Sequence, residues 1–84
     1  MPYTVVLPKR VQKELDDIPG NFRQRVILAL EVLARDPFEG KRLVDTHKGR
    51  WSYRVWPYPI IYEVYKSELV VLVIKVGHRK DVYR

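Results

Sequence analysis

The carboxyl-terminal stretch "VIKVGHRKDVYR", residues 73–84, attaches reactive side chains to the end of an apolar segment. After Gly77 come an imidazole, a phenol and several cations, supplied by His78, Arg79, Lys80, Tyr83 and Arg84. Cleavage of RNA by attack of a 2′-hydroxyl on its own phosphate needs a base, an acid for the leaving oxygen and positive charge on the phosphorane. This stretch contains residue types suited to all three tasks.

Each side chain suggests a role. His78 can transfer protons near neutral pH, because an unperturbed imidazole has a pKa of about 6.5. Tyr83 can act as a base only if neighbouring cations lower its pKa well below the usual value of about 10. Arg79 keeps its proton, so we expect it to stabilise charge. The alternative, a basic terminus that only improves solubility, stays open at this point.

A second candidate, Arg54, lies in the alternating segment "WSYRVW". In a strand this alternation puts Arg54 on one face with Ser52 and Trp56, opposite Trp51. A guanidinium can grip phosphate oxygens while an indole offers a stacking plane. Arg54 is therefore a candidate for binding phosphate, but spacing alone favours the alternative, a solvated strand residue whose stem covers Trp56. Trp51 is expected in the core.

The periodicity of the chain predicts the element order βααβββ. Asn21 and Gln24 resemble a capping box that would start the second helix, and Pro37 ends it near Arg35. Residues 36–49 are predicted to be a loop. The predicted strands cover 3–7, 51–56, 60–65 and 69–76, and the predicted helices 9–18 and 21–35. Residues 69–76 are apolar at nearly every position, as expected of a central strand covered on both faces.

This order predicts one domain over residues 1–84 with an α+β fold. A two-helix hairpin would cover one face of a largely antiparallel, four-stranded sheet. The other face would then be free to present polar groups such as Arg54.

The composition argues against a disulfide-stabilised, a metal-dependent or a membrane-spanning protein. The chain has 84 residues, no cysteine and two histidines, so we expect no disulfide, no metal centre built from protein ligands and no cofactor. No apolar run approaches the roughly 20 residues that span a bilayer, and the expected location is cytoplasmic. The net charge of +6 favours a polyanion or an acidic protein as partner.

Three stretches resemble the RelE/ParE superfamily of toxins from toxin–antitoxin pairs, and its RelE branch in particular. They are "KELDDIP", "YRVWPYPIIYEV" and "VIKVGHRKDVYR", in the order the family shows. The resemblance covers nearly the whole chain. It implies a ribosome-dependent endoribonuclease that cuts mRNA without a metal and so inhibits translation.

The resemblance also implies site residues and partners. Arg54, Arg79 and Tyr83 match the family's basic strand residue, end-motif arginine and near-terminal tyrosine, and His78 precedes Arg79. An acidic, RelB-like antitoxin would neutralise the toxin, and the ribosome with its mRNA would be the target. The residues expected to contact RNA are Lys48, Arg50, Trp56, Lys80 and Arg84.

One departure from the family pattern concerns Pro59. The family usually has arginine there, as in "YRIIY", whereas this chain reads "YPIIY". Proline has neither the charge nor the backbone donor, so a weakened toxin, or an inactive one that only binds antitoxin, is an alternative. A ParE-like inhibitor of DNA gyrase is another, although that branch tends to lack the basic and tyrosine set in "GHRKDVYR".

Overall fold

The computed structural model describes residues 2–44 and 49–77, here called the described residues. The helices are α1 (Lys9–Asp16) and α2 (Gly20–Arg35), followed by a short 3-10 helix over Pro37–Glu39. The strands are β1 (Thr4–Val6), β2 (Lys41–Arg42), β3 (Trp51–Tyr53), β4 (Ile60–Tyr65) and β5 (Val70–Val76). None of the helices in this part of the chain is long and apolar enough to cross a membrane.

The strands form one mixed sheet in the order β1-β5-β4-β3-β2. β1 runs parallel to β5, and every other neighbouring pair is antiparallel. The predicted α+β order is confirmed, but the sheet has five strands rather than four. The additional strand is β2, within the predicted loop, and it pairs with β3. Two residues are too few to show an alternating pattern, so only the pairing with β3 reveals this strand.

Prolines set the helix boundaries. Pro8 precedes α1 and Pro19 precedes α2, each with a φ near the value that suits a helix start. The predicted capping box is wrong, because α2 begins at Gly20 and its start has no side-chain cap hydrogen bond. Asn21 therefore lies inside the first turn rather than before it. At the other end, the Asp36 side chain accepts a 3.0 Å hydrogen bond from the Phe38 backbone N–H and starts the 3-10 helix.

Both helices contribute to one core on what we call the helix face of the sheet. The buried residues of this core are Val11, Ile18, Val26, Ala29, Leu30 and Leu33 from the helical half and Ile60, Tyr62, Val71, Val73 and Val76 from the sheet. Each buried aliphatic side chain contributes about 1.5–3 kcal/mol. Trp51 packs against this cluster, as predicted, and remains half-buried.

The face of β5 opposite the helices is less covered than predicted. Val70, Leu72 and Ile74 are half-buried there, whereas Val71 and Val73 on the helix face are fully buried. The apolar run therefore reflects a central position in the sheet order rather than two covered faces. We call this second surface the open face.

A buried tyrosine ties the loop after α2 to the sheet. The Tyr62 hydroxyl donates a 2.6 Å hydrogen bond to the Pro37 carbonyl oxygen and is buried. Gly40 passes so close that a Cβ on it would overlap the Tyr62 hydroxyl and lie 2.8 Å from the Ser52 carbonyl oxygen. Only glycine allows this approach, which brings β2 alongside β3.

We expect Gly40→Ala to lower the free energy of unfolding by about 2–3 kcal/mol, because the methyl group displaces the Tyr62 hydroxyl from Pro37. Gly20→Ala is the matched control, since its Cβ would meet only the Arg23 side chain, at 3.7 Å. Urea denaturation measures both variants. Equal losses at the two glycines would contradict the close-approach explanation.

The stability of the fold should also depend on pH through Tyr62. Burial raises the pKa of this phenol from 10.0 to about 12. Because the folded-state pKa is the higher one, the stabilisation is complete below about pH 10 and is lost as the pH rises through about 12. Over that window the advantage of the wild type over Tyr62→Phe should shrink by on the order of 2 kcal/mol. Denaturation curves between pH 9 and pH 12 test this, and a constant difference would refute it.

Candidate functional site

The open face is built from alternate residues of three neighbouring strands. Ser52 of β3 lies opposite Ile61 of β4, which lies opposite Lys75 of β5. The β4–β5 register shifts by one residue between Ile61 and Tyr62, so the neighbours Ile74 and Lys75 both fall on this face. On the same face Glu63 lies opposite Leu72. The face is not open along its whole length, because Ile61 is fully buried although it lies outside the core beneath the helices.

Arg54 lies one residue beyond the end of β3 and is exposed. The sequence predicted that Arg54 lies in the interior of a strand over residues 51–56. The structure instead places it just past the end of β3. A hydrogen bond from the Tyr58 backbone N–H to the Val55 carbonyl closes the turn after β3. Among the described residues, Arg54 forms neither an ion pair nor a hydrogen bond. Its guanidinium is thus available to a ligand.

Two shallow clefts meet at Arg54. The first is also lined by Lys41, Ser52 and Gly40 and has a volume of about 370 Å³. The second lies between Arg54 and α2, where Arg25 and Leu28 line it. Sequence reasoning missed Lys41, because its place beside Ser52 depends on the β2–β3 pairing. The two cations, Lys41 and Arg54, outnumber the one carboxylate on this cleft, that of Glu39, so this end of the sheet is suited to phosphate.

Arg50 has a partner within the fold. Its Nε lies 3.2 Å from Glu63 Oε2, and the Tyr65 hydroxyl donates a 2.7 Å hydrogen bond to the other Glu63 oxygen. This bond, together with the negative charge of Glu63, raises the pKa of the Tyr65 hydroxyl. Arg50, predicted to contact RNA, is therefore already paired with a carboxylate on the neighbouring strand.

Trp56 lies within the turn after β3, and Pro59 follows that turn. Trp56 is 64% exposed, as a stacking residue would need to be. Pro59 is buried immediately before β4. Extending the β3–β4 register by one pair places Arg54 opposite Pro59. The departure from the family pattern thus lies directly across from the exposed arginine.

Several predicted site residues lie outside the described residues: Lys48, His78, Arg79, Lys80, Tyr83 and Arg84. The structure follows the chain as far as Gly77, the residue after β5. Over residues 2–44 and 49–77, no three side chains of the types that bind metal are grouped as a metal site would require.

A family described as "ParE toxin of type II toxin-antitoxin system, parDE" matches residues 5–83. The toxin RelG of Mycobacterium tuberculosis is 31% identical over 86 residues, which covers 100% of this chain and 99% of RelG. The chain belongs to the RelE/ParE superfamily. It is a RelE-like toxin of a type II toxin–antitoxin system, as the sequence predicted.

Solved structures show the same fold. A chain of the toxin–antitoxin complex RelBE2 from M. tuberculosis has a TM-score of 0.85 at 28% identity, covering 94% of this toxin and 100% of that chain. A chain of the archaeal RelE–RelB complex from Pyrococcus horikoshii has a TM-score of 0.80 at 24% identity, covering 98% and 100%. At that identity the archaeal structure supports the fold alone.

We expect Glu63→Gln to strengthen binding of the toxin to single-stranded RNA, because the substitution removes the anion that neutralises Arg50. If Arg50 then contacts phosphate, the dependence of log affinity on log salt should steepen by about 0.7. Fluorescence anisotropy with a labelled oligonucleotide at several salt concentrations measures both quantities.

Glu31→Gln is the control for this prediction, since it changes the net charge equally from an exposed position on α2. A similar gain in both variants would show that overall charge, and not the Arg50–Glu63 pair, governs RNA binding.

Proposed function

We propose that this toxin is a ribosome-dependent endoribonuclease that cuts mRNA by attack of a 2′-hydroxyl on the adjacent phosphate. The observation that carries the proposal is an exposed Arg54 that has no ion-pair partner among residues 2–44 and 49–77 and lines one cleft with Lys41. Cations placed in this way suit the negative charge that builds up on phosphorus. Membership of the RelE/ParE superfamily adds support.

Roles follow from residue chemistry. Arg54 and Arg79 would stabilise the phosphorane, since neither gives up its proton at physiological pH. His78 and Tyr83 would share the acid and base tasks. The roles of His78, Arg79 and Tyr83 are supported by their residue types, by their closeness in sequence and by the resemblance to the family. Among the residues expected to hold the RNA, Trp56 is exposed and could stack on a base.

An acidic, RelB-like antitoxin would hold the toxin inactive. The M. tuberculosis structure similar to this chain is a toxin–antitoxin complex, at 28% identity. The net charge of +6 favours association with an acidic partner and with ribosomal RNA alike. The antitoxin would compete with RNA if it covered the cleft lined by Arg54 and Lys41.

Changing Arg79 or Tyr83 to Ala should reduce mRNA cleavage on ribosomes by about 100-fold or more, the usual cost of losing a group that stabilises charge or transfers a proton in the transition state. Primer extension on mRNA bound to purified ribosomes measures the rate. Arg35→Ala, at the exposed end of α2, removes the same charge as Arg79→Ala and should leave the rate unchanged.

Other outcomes of this assay favour the alternatives. Cleavage at the wild-type rate in both variants would contradict the assigned residues. If the wild-type toxin left mRNA intact but poisoned gyrase in a supercoiling assay, a ParE-like toxin would be favoured. The matched family description makes this the second candidate. Intact mRNA and normal gyrase would indicate a chain that only binds antitoxin, and Pro59→Arg would then be the first variant to test for recovered cleavage.

A further inference from the structure

The far end of β5 extends beyond its parallel neighbour. β1 pairs only with residues Val70 to Leu72, whereas β5 continues to Val76. On the β1 side, the backbone groups of the last β5 residues therefore have no strand beside them within the described part of the chain. Unpaired strand groups of this kind need other partners.

Two side chains of α1 form hydrogen bonds with these backbone groups of β5. Arg10 Nη2 donates a 2.7 Å hydrogen bond to the Ile74 carbonyl oxygen, and Glu14 Oε1 accepts a 2.9 Å hydrogen bond from the Val76 backbone N–H. Residues four apart on a helix are separated by about 6 Å along its axis. Residues two apart on a strand are separated by about 6.7 Å. The two spacings match, so one turn of α1 continues the hydrogen bonding where β1 ends.

The Glu14 bond lies at the last fixed point before the proposed catalytic residues. Val76 is the final residue of β5, and Gly77 and His78 come next. Glycine restricts backbone direction least, so Gly77 cannot itself orient the catalytic residues. The surroundings also leave room, because an open cleft of about 280 Å³ lies between Glu14, Tyr58 and Gly77. Among the described residues, Val76 and the groups that hold it set the position from which the chain continues.

We propose that Glu14 is a positioning residue that fixes the point at which the chain leaves β5 toward His78, Arg79 and Tyr83. A carboxylate that accepts a backbone N–H makes a stronger hydrogen bond than a neutral acceptor. The catalytic part of this inference rests on the proposed nuclease function. The anchoring part does not, and it can be measured in the free protein.

The experiment compares Glu14→Ala and Glu14→Gln with the wild type. In Glu14→Ala the Val76 amide should exchange with solvent at least about tenfold faster, and the order parameter of the Gly77 amide should fall. Glu14→Gln keeps an oxygen acceptor and should stay within about threefold of the wild-type exchange rate. Glu31→Ala, exposed on α2, is the matched control and should leave both quantities unchanged. Thermal unfolding verifies that each variant is folded.

Cleavage on ribosomes supplies the second readout. Glu14→Ala should lower kcat by about tenfold with little change in KM, because the groups are misplaced rather than removed. Glu14→Gln should restore most of the rate. Wild-type exchange at Val76 in Glu14→Ala would overturn the anchor, and faster exchange with an unchanged kcat would overturn its positioning role. If the wild type cuts no mRNA, the nuclease proposal fails, while exchange at Val76 and order at Gly77 still decide whether Glu14 anchors the strand end.

Discussion

The antiparallel pairing of β4 with β5 is the constraint on which the other features depend. It runs from Ile60 opposite Val76 to Tyr65 opposite Val70 and is the longest pairing among the described strands. Because side chains alternate along each strand, this register sends Tyr62 and Val73 under the helices and leaves Glu63 and Leu72 on the other surface. A shift of one residue would exchange the two sets and bury a carboxylate in the core.

The same register determines which cations remain available. Arg50 forms an ion pair with Glu63, although the two are 13 positions apart in sequence. Arg54, four residues further on and just past the end of β3, has no such partner within the described chain. Arg54 and Lys41 of β2 therefore line one cleft at the end of the sheet where β3 stops, together with the carboxylate of Glu39. Among the described residues, whether a cation is available to a ligand depends on its position in the sheet and not only on how many cations there are.

Much of this fold could be predicted from sequence because it depends on local signals. The predicted bounds of β4 agree with the observed ones, and α2 ends at Arg35 as the following proline indicates. The capping box fails because Pro19 starts α2 before Asn21 is reached. β2 escapes prediction because it exists only through its pairing with β3. Local periodicity carries no information about which distant backbone groups will meet.

The same distinction between local signals and long-range contacts applies to the candidate site. Alternation within one segment is enough to separate Arg54 from the core-facing Trp51, whereas the exposure of Trp56 comes from its place in the turn beyond β3. The Arg50–Glu63 pair, the place of Lys41 and the contact of Glu14 with Val76 all join residues from different elements. Such contacts depend on register and on the packing of α1, neither of which a single sequence specifies.

The outer edge of the sheet at β2 has a further consequence for a chain of this size. A free strand edge can recruit the strand of another molecule and so begin aggregation. Here that edge is only two residues long, and both of them, Lys41 and Arg42, are charged and exposed. Copies approaching edge to edge would repel one another, while an acidic segment would be attracted. The edge thereby discourages self-association and still admits a partner of opposite charge.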